Sequence, residues 1–200
     1  MEEITLIFGA LWVLFALLII LLRDKLAALA LLGLNLTIAG FFLVEADVVG
    51  AIVKVVLGVI SALIVYFAAT RTRLPRPRVS MRILIFIALL AVVLSYLVAY
   101  VLQPQFPAEH SLESYFIVVL FGVALVTIAS QASVLKLLLG ILIFENVGAL
   151  VLAWAPNAAV FTVITEVFVV LITFTIALIV AMDFAEYDTI DATKLTKLRG

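Results

Sequence analysis

Seven apolar stretches, each about long enough to cross a bilayer, leave this chain few ways to fold. They run approximately over Ile4–Leu22, Leu26–Val44, Val48–Ala69, Ile83–Leu102, Ser114–Ile128, Leu137–Trp154 and Val160–Met182, with the fifth the shortest. A crossing takes about 20 residues of helix. Hydrocarbon offers no water to bond, so backbone groups there must pair internally, in a helix or a closed barrel. The alternating ten-residue segments of a barrel are not present in the sequence. The expectation is therefore an all-α, polytopic membrane protein with seven transmembrane helices. Composition agrees: 68% of the 200 residues are hydrophobic and 12% charged, against about 45–50% and about 25% in soluble domains. The first stretch has no basic flank before it and no small-residue cleavage pattern after it, so it reads as a retained helix rather than a signal peptide.

Orientation follows from the cations. With seven crossings, Arg23, Lys25, Arg71, Arg73, Arg76, Arg78, Arg82, Lys136, Lys194, Lys197 and Arg199 fall on one side. Glu2, Glu3, Glu45, Asp47, Glu109 and Glu113 fall on the other, with no Lys or Arg. The positive-inside rule then puts the N-terminus outside and the C-terminus in the cytoplasm. The run RTRLPRPRVSMR, residues 71–82, reads as an extended cytoplasmic connection between a three-helix half (1–70) and a four-helix half (83–182), and 183–200 as a cytoplasmic tail. Its arginines suit topology and lipid headgroup contact, or docking to a cytoplasmic partner subunit. No internal repeat relates the halves.

Several functions are excluded. A net charge of −1 gives no basic field for nucleic acid. With no cysteine, disulfides and thiolate-held zinc or iron–sulfur clusters are impossible. The single histidine, His110, lies in a loop, which rules out a bis-histidine haem within the bilayer. There is no glycine-rich phosphate loop, no nucleophile–base pair and no metal-ligand cluster. A retinal protein would want a lysine in its last helix, and the seventh stretch has none.

Three charges remain inside the apolar runs: Lys54, Glu145 and Glu166. An ionised side chain at bilayer mid-depth costs at least roughly 2.5–3.5 kcal/mol on insertion scales, so such residues turn toward protein or a hydrated path. Lys54 shares a helix face with Gly50 and Gly58, four residues to either side, which would let another backbone approach. Snorkelling to the outer surface is the bland alternative for it. Glu145 and Glu166 sit near the middles of two consecutive runs joined by Ala155-Pro156-Asn157-Ala158. Glu145 has Asn146 beside it and Gly148 and Ala149 on its face; Glu166 shares a stripe with Thr162 and Thr173. Either carboxyl could be structural glue, but two on consecutive helices suggest a proton or ion relay. Asp47 and Glu45 stand at the outer mouth of the third helix, as relay partners or as solvated loop charges. Asn35 and Thr37 are polar glue or part of a wet path.

The segment SVLKLLLGILIFENVGALVLAW…VFTVITEVFVVLITFTIALIV (within 134–182) resembles the small K-type subunit of respiratory complex I. It is also similar to the counterparts in Mrp-type Na⁺/H⁺ antiporters and membrane-bound nickel–iron hydrogenases. These relatives share a helix of the form LLGLE…N followed by a helix with a central Glu. Gly140, Asn146 and Glu166 match; Leu142 stands at the first Glu of complex I, with Glu145 one turn later, closer to the form in formate hydrogenlyase. The front half, LLRDKLAALALLGLNLTIAGFFLVEADVVGAIVKVVLG…, resembles the hydrogenase D-type subunit, the C-terminal part of the large Mrp subunit and the J-type subunit of complex I. Arg23, Asp24, Leu26, Ala27, Ala28 and Asp47 fit that pattern, while Ile52 stands near the family's Glu, with Lys54 two residues on.

The resemblance implies a non-catalytic membrane-arm subunit of a translocating oxidoreductase complex in a prokaryotic cytoplasmic (inner) membrane. Its partners would be other membrane subunits, antiporter-like ones included, and the surrounding lipid. Redox cofactors would sit in those partner chains and none in this one. Protons would pass through Glu145, Glu166, Lys54 and Asp47, supported by Asn146, Thr162, Gly50 and Gly58. Two other classes compete: a non-translocating scaffold, and a stand-alone secondary transporter, for which the missing repeats are a poor fit.

Overall fold

A computed structural model of the protein describes residues 2–71, 80–102, 111–130, 133–154 and 158–187. Among them the chain is all-helical: α1 (Glu2–Leu21), α2 (Asp24–Val44), α3 (Val48–Arg71), α4 (Met81–Leu102), α5 (Ser111–Ser130), α6 (Val134–Leu152) and α7 (Ala158–Tyr187). All seven are long and apolar enough to cross a membrane. The fifth membrane-crossing span, Leu112–Ala129, is the shortest at 18 residues, within a helix of 20. Helix α6 begins at Val134 and takes in Lys136, which the sequence pattern assigned to a loop. Helix α7 runs on to Tyr187, so the segment read as a tail from 183 begins as helix. Most of the Arg/Pro-rich connection (72–79), His110 and residues 188–200 lie outside the described residues.

Successive helices alternate in direction. Helices α1, α2, α5 and α6 form the middle of the bundle, with Trp12, Leu31, Leu34, Ile38, Leu120 and Leu139 fully buried among them. Trp12 meets Phe41 edge-on at 5.1 Å between ring centroids, pinning α1 to α2. Helix α4 packs on α5 at one flank, and α3 packs against α2 and α7 at the other. The outward faces of α4 and α7 are rows of exposed Leu, Ile, Val and Phe, as lipid-facing helices require.

The corner between α2 and α3 fixes where α3 points. Asp47 N–H donates to Phe42 O at 2.9 Å and Ala46 N–H to Leu43 O at 3.2 Å, the paired bonds of a Schellman motif. Ala46 takes the left-handed conformation at φ 62°, the place where glycine is usual. The carboxylate of Asp47 then caps α3, accepting from Gly50 N–H at 2.8 Å. A side chain at position 50 would collide with that carboxylate, so Gly50 makes room for the cap rather than for a neighbouring helix. Gly58 does admit a neighbour: an added Cβ would lie 2.8–2.9 Å from the side chain of Asn35, whose Nδ2 donates to Gly58 O at 3.2 Å. Asn35 is thus glue between α2 and α3, while Thr37 bonds back to its own helix at Gly33 O and Leu34 O.

Substitutions at these sites separate the roles. Gly58→Leu should lower stability by about 1–3 kcal/mol through overpacking against Asn35. Gly148→Ala, where nothing lies within 4 Å of the added Cβ, should leave it unchanged or slightly raised. Ala46→Gly should raise stability by about 1 kcal/mol by relieving the left-handed residue. Thermal unfolding in a mild detergent, followed by loss of monomer on size exclusion, would read all three.

Candidate functional site

Each of the three intramembrane charges reaches the site on a different helix. Lys54 lies six residues into α3, Glu145 seven residues before the end of α6, and Glu166 eight residues into α7. At 1.5 Å per residue these are about 9–12 Å from the helix ends on one side of the bundle. Alternation of direction brings the start of α3, the end of α6 and the start of α7 to that same side. Glu145 therefore stands near the middle of α6, as expected, while Glu166 lies nearer the start of the longer α7.

There they meet. Lys54 Nζ donates to both oxygens of Glu145 at 3.0 Å and to Glu166 Oε1. The Lys54 side chain is 0% exposed, Glu166 2% and Glu145 8%. Lys54 does not snorkel; its ammonium ends inside the protein, where three acceptor oxygens use its three protons. The buried stripe of α7 that carries Glu166 also holds Thr162 and Thr173, which spacings of four and seven residues put on one face. On α3, Ser61 follows Lys54 at the same spacing of seven and is also buried. Glu145 is the member nearest open space, because Gly148, one turn along α6, has no side chain to close the notch beside it.

Charge counting limits what the triad can do. One ammonium and two carboxylates carry a net charge of −1 when all are ionised, and removing charge from water costs several kcal/mol per ion. A single added proton on either carboxyl makes the cluster neutral. The arrangement thus has one ammonium, two alternative anionic partners and a place for one exchangeable proton.

The other candidate residues take different places. Asp47 sits at the α3 N-cap rather than in the triad; one of its oxygens accepts from Gly50 and the other is buried without a partner. Asn146 points away from Glu145 into the core, donating to Leu142 O at 2.8 Å with its Oδ1 unpartnered. Thr162 lies one turn before Glu166 with a buried, unpartnered hydroxyl. Gly50 and Gly58 flank Lys54 on α3 and serve the cap and the contact with Asn35.

Sequence reasoning passed over a second buried polar cluster. Lys136 is 5% exposed, and its ammonium bonds carbonyls at the end of α1, Ile20 O at 3.3 Å and Ile19 O, and just past it, Leu22 O at 2.5 Å. It satisfies a helix C-terminus and complements its dipole from another helix. Asp24, 3% exposed at the start of α2, accepts from Ser133 Oγ at 3.3 Å and lies within electrostatic reach of Lys136. The apolar spacing Leu135, Leu138, Leu139, Leu142 continues α6 upstream of Leu137 and was the available signal. Trp154 at the far end of α6 donates to Glu113 of α5 at 3.0 Å.

No family model, curated protein or solved structure matches the chain.

The ion triad makes a double prediction. Lys54→Met leaves two buried carboxylates without a cation and should cost about 3–5 kcal/mol of stability. Combining it with Glu145→Gln and Glu166→Gln removes the buried charge and should restore most of that loss, again by thermal unfolding in detergent. Equal damage in the single and triple variants would mean that the charges do not balance one another.

Proposed function

We propose that this chain is a proton-translocating membrane subunit of a redox-driven, energy-converting complex of the complex I, membrane-bound hydrogenase and Mrp-type group. The observation that carries the reading is the burial of Lys54 between Glu145 and Glu166, three ionisable groups from three membrane-length helices sharing one site. Purely structural glue has no need of a spare carboxylate, whereas proton carriage needs a group that can be neutral or charged. In this reading a proton arriving at one carboxyl releases Lys54 toward the other, and its departure draws the ammonium back. Glu145, beside the Gly148 notch, exchanges protons first, and Glu166 holds the inner position. Asp47 shapes the α2–α3 corner that aims Lys54 at the pair.

The motifs of the two halves support the family assignment, and with it partner subunits that hold the redox cofactors and antiporter-like neighbours in the same membrane. The cation distribution supports an N-terminus outside and a cytoplasmic C-terminus, and the family resemblance a prokaryotic inner membrane.

The test is redox-driven proton uptake in sealed vesicles carrying Glu166→Gln, with assembly of the complex checked first. Gln keeps an oxygen for Lys54 but cannot take a proton. Uptake should fall at least about tenfold with assembly intact, a barrier rise of about 1.4 kcal/mol or more. Full uptake would make the triad a structural clamp and the chain a scaffold.

A further inference from the structure

A hydroxyl shut inside a helix bundle needs a partner, and a helical threonine has one at hand in the carbonyl four residues back. Thr127 bonds Val123 O at 2.8 Å and Thr175 bonds Leu171 O at 2.9 Å in this way. Ser61 and Thr173 do not. They are 2% and 0% exposed, and neither hydroxyl has a protein partner. Both belong to the two helices that hold Lys54 and Glu166.

Helices α3 and α7 run parallel. Lys54 meets Glu166 near their starts, and Ala68 and Ala69 cluster with Ala177 and Val180 nearer their ends. Lys54 and Glu166 are 112 residues apart in sequence, and Ser61 and Thr173 stand at the same offset, seven residues farther along each helix. The two hydroxyls therefore share one level of the α3–α7 interface, about 10 Å from the triad. Beyond them the interface is apolar: Ala68, Ala69, Ala177 and Val180, flanked by Ile64 and Ile176.

We infer that Ser61 and Thr173 hold internal water between α3 and α7, and that this water extends the triad's proton path two turns toward the Arg71 end of the bundle, stopping at the alanine–valine seal. The water stands on the two hydroxyls alone; the path rests on the proton-carrying reading of Lys54, Glu145 and Glu166. Internal water characteristically bonds buried polar groups left without protein partners. About three molecules at ~2.8 Å spacing cover ~10 Å. Each takes a proton from one neighbour and gives one to the next, so charge crosses without net movement of water. The apolar seal makes the path one-sided until α3 and α7 part at their far ends.

Two measurements on the full chain test this. In liposomes, water-edited solid-state NMR of threonine-labelled protein compares Thr173 with Thr127 and Thr175. Thr173 should build up from water several-fold faster than Thr127, which is equally buried but bonded to its own helix. Build-up no faster than Thr127 overturns the inference. The second measurement is redox-driven proton uptake by the assembled complex carrying Ser61→Ala and Thr173→Val, near-isosteric changes that leave the triad intact. Uptake should fall at least about tenfold, as for Glu166→Gln. Undiminished uptake in this double variant, with Glu166→Gln inactive, overturns the conduit and leaves the triad standing. If Glu166→Gln is fully active, the proton-carrying reading fails and the conduit with it, while the Thr173 comparison still decides the water.

Discussion

A lysine ammonium held away from water between two carboxylates is the constraint around which the α3–α6–α7 side of this bundle is arranged. Apolar side chains cannot supply what those charges lose on leaving water, which amounts to several kcal/mol per ion. Only oriented partners can, and they must come from helices distant in sequence: Lys54 is 91 residues from Glu145 and 112 from Glu166. The register of three helices is therefore set together, since a shift of one residue would turn a charge by about 100° toward lipid. The short α2–α3 corner serves this end. The Schellman bonds, the Asp47 cap and the Asn35–Gly58 bond fix the phase of α3, so that Lys54 faces α6 and α7.

Among the described residues two lysines are buried, and they bond different kinds of acceptor. Lys136 gives its protons to backbone carbonyls, acceptors that do not themselves take up a proton at ordinary pH. It fastens the end of α1 to the start of α6. Lys54 gives its protons to carboxylates on two other helices, groups that can themselves be protonated. The two ammoniums stand toward opposite ends of the bundle, with the packed core of α1, α2, α5 and α6 between them.

The helices were legible in the sequence because a bilayer imposes one physical requirement, about 20 apolar residues with internally bonded backbone, and apolar runs report it directly. The three intramembrane charges stood out for the same reason. Their meeting did not follow, since nothing local to Lys54 says which helix receives it. Lys136 was misplaced because a lysine at the edge of an apolar run looks the same whether it reaches for water or for the carbonyls of α1. Gly50 and Gly58 were read alike from equal spacing about Lys54, yet one clears an intrahelical cap and the other admits Asn35. That difference lies in side chains brought near by folding. Ser61 was within reach of the pattern: it repeats the spacing of Thr173 from Glu166.

Helix α7 has a mechanical consequence. Its 30 residues make a rod about 45 Å long, against roughly 30 Å of hydrocarbon. Glu166 is near one end, so about 32 Å of stiff helix separates it from Tyr187. A tilt of about 5° pivoting at the triad displaces the far end by about 3 Å, enough to make or break a contact there. Pivoted at its buried charge, the rod turns a small rotation on one side of the bundle into a larger displacement on the other.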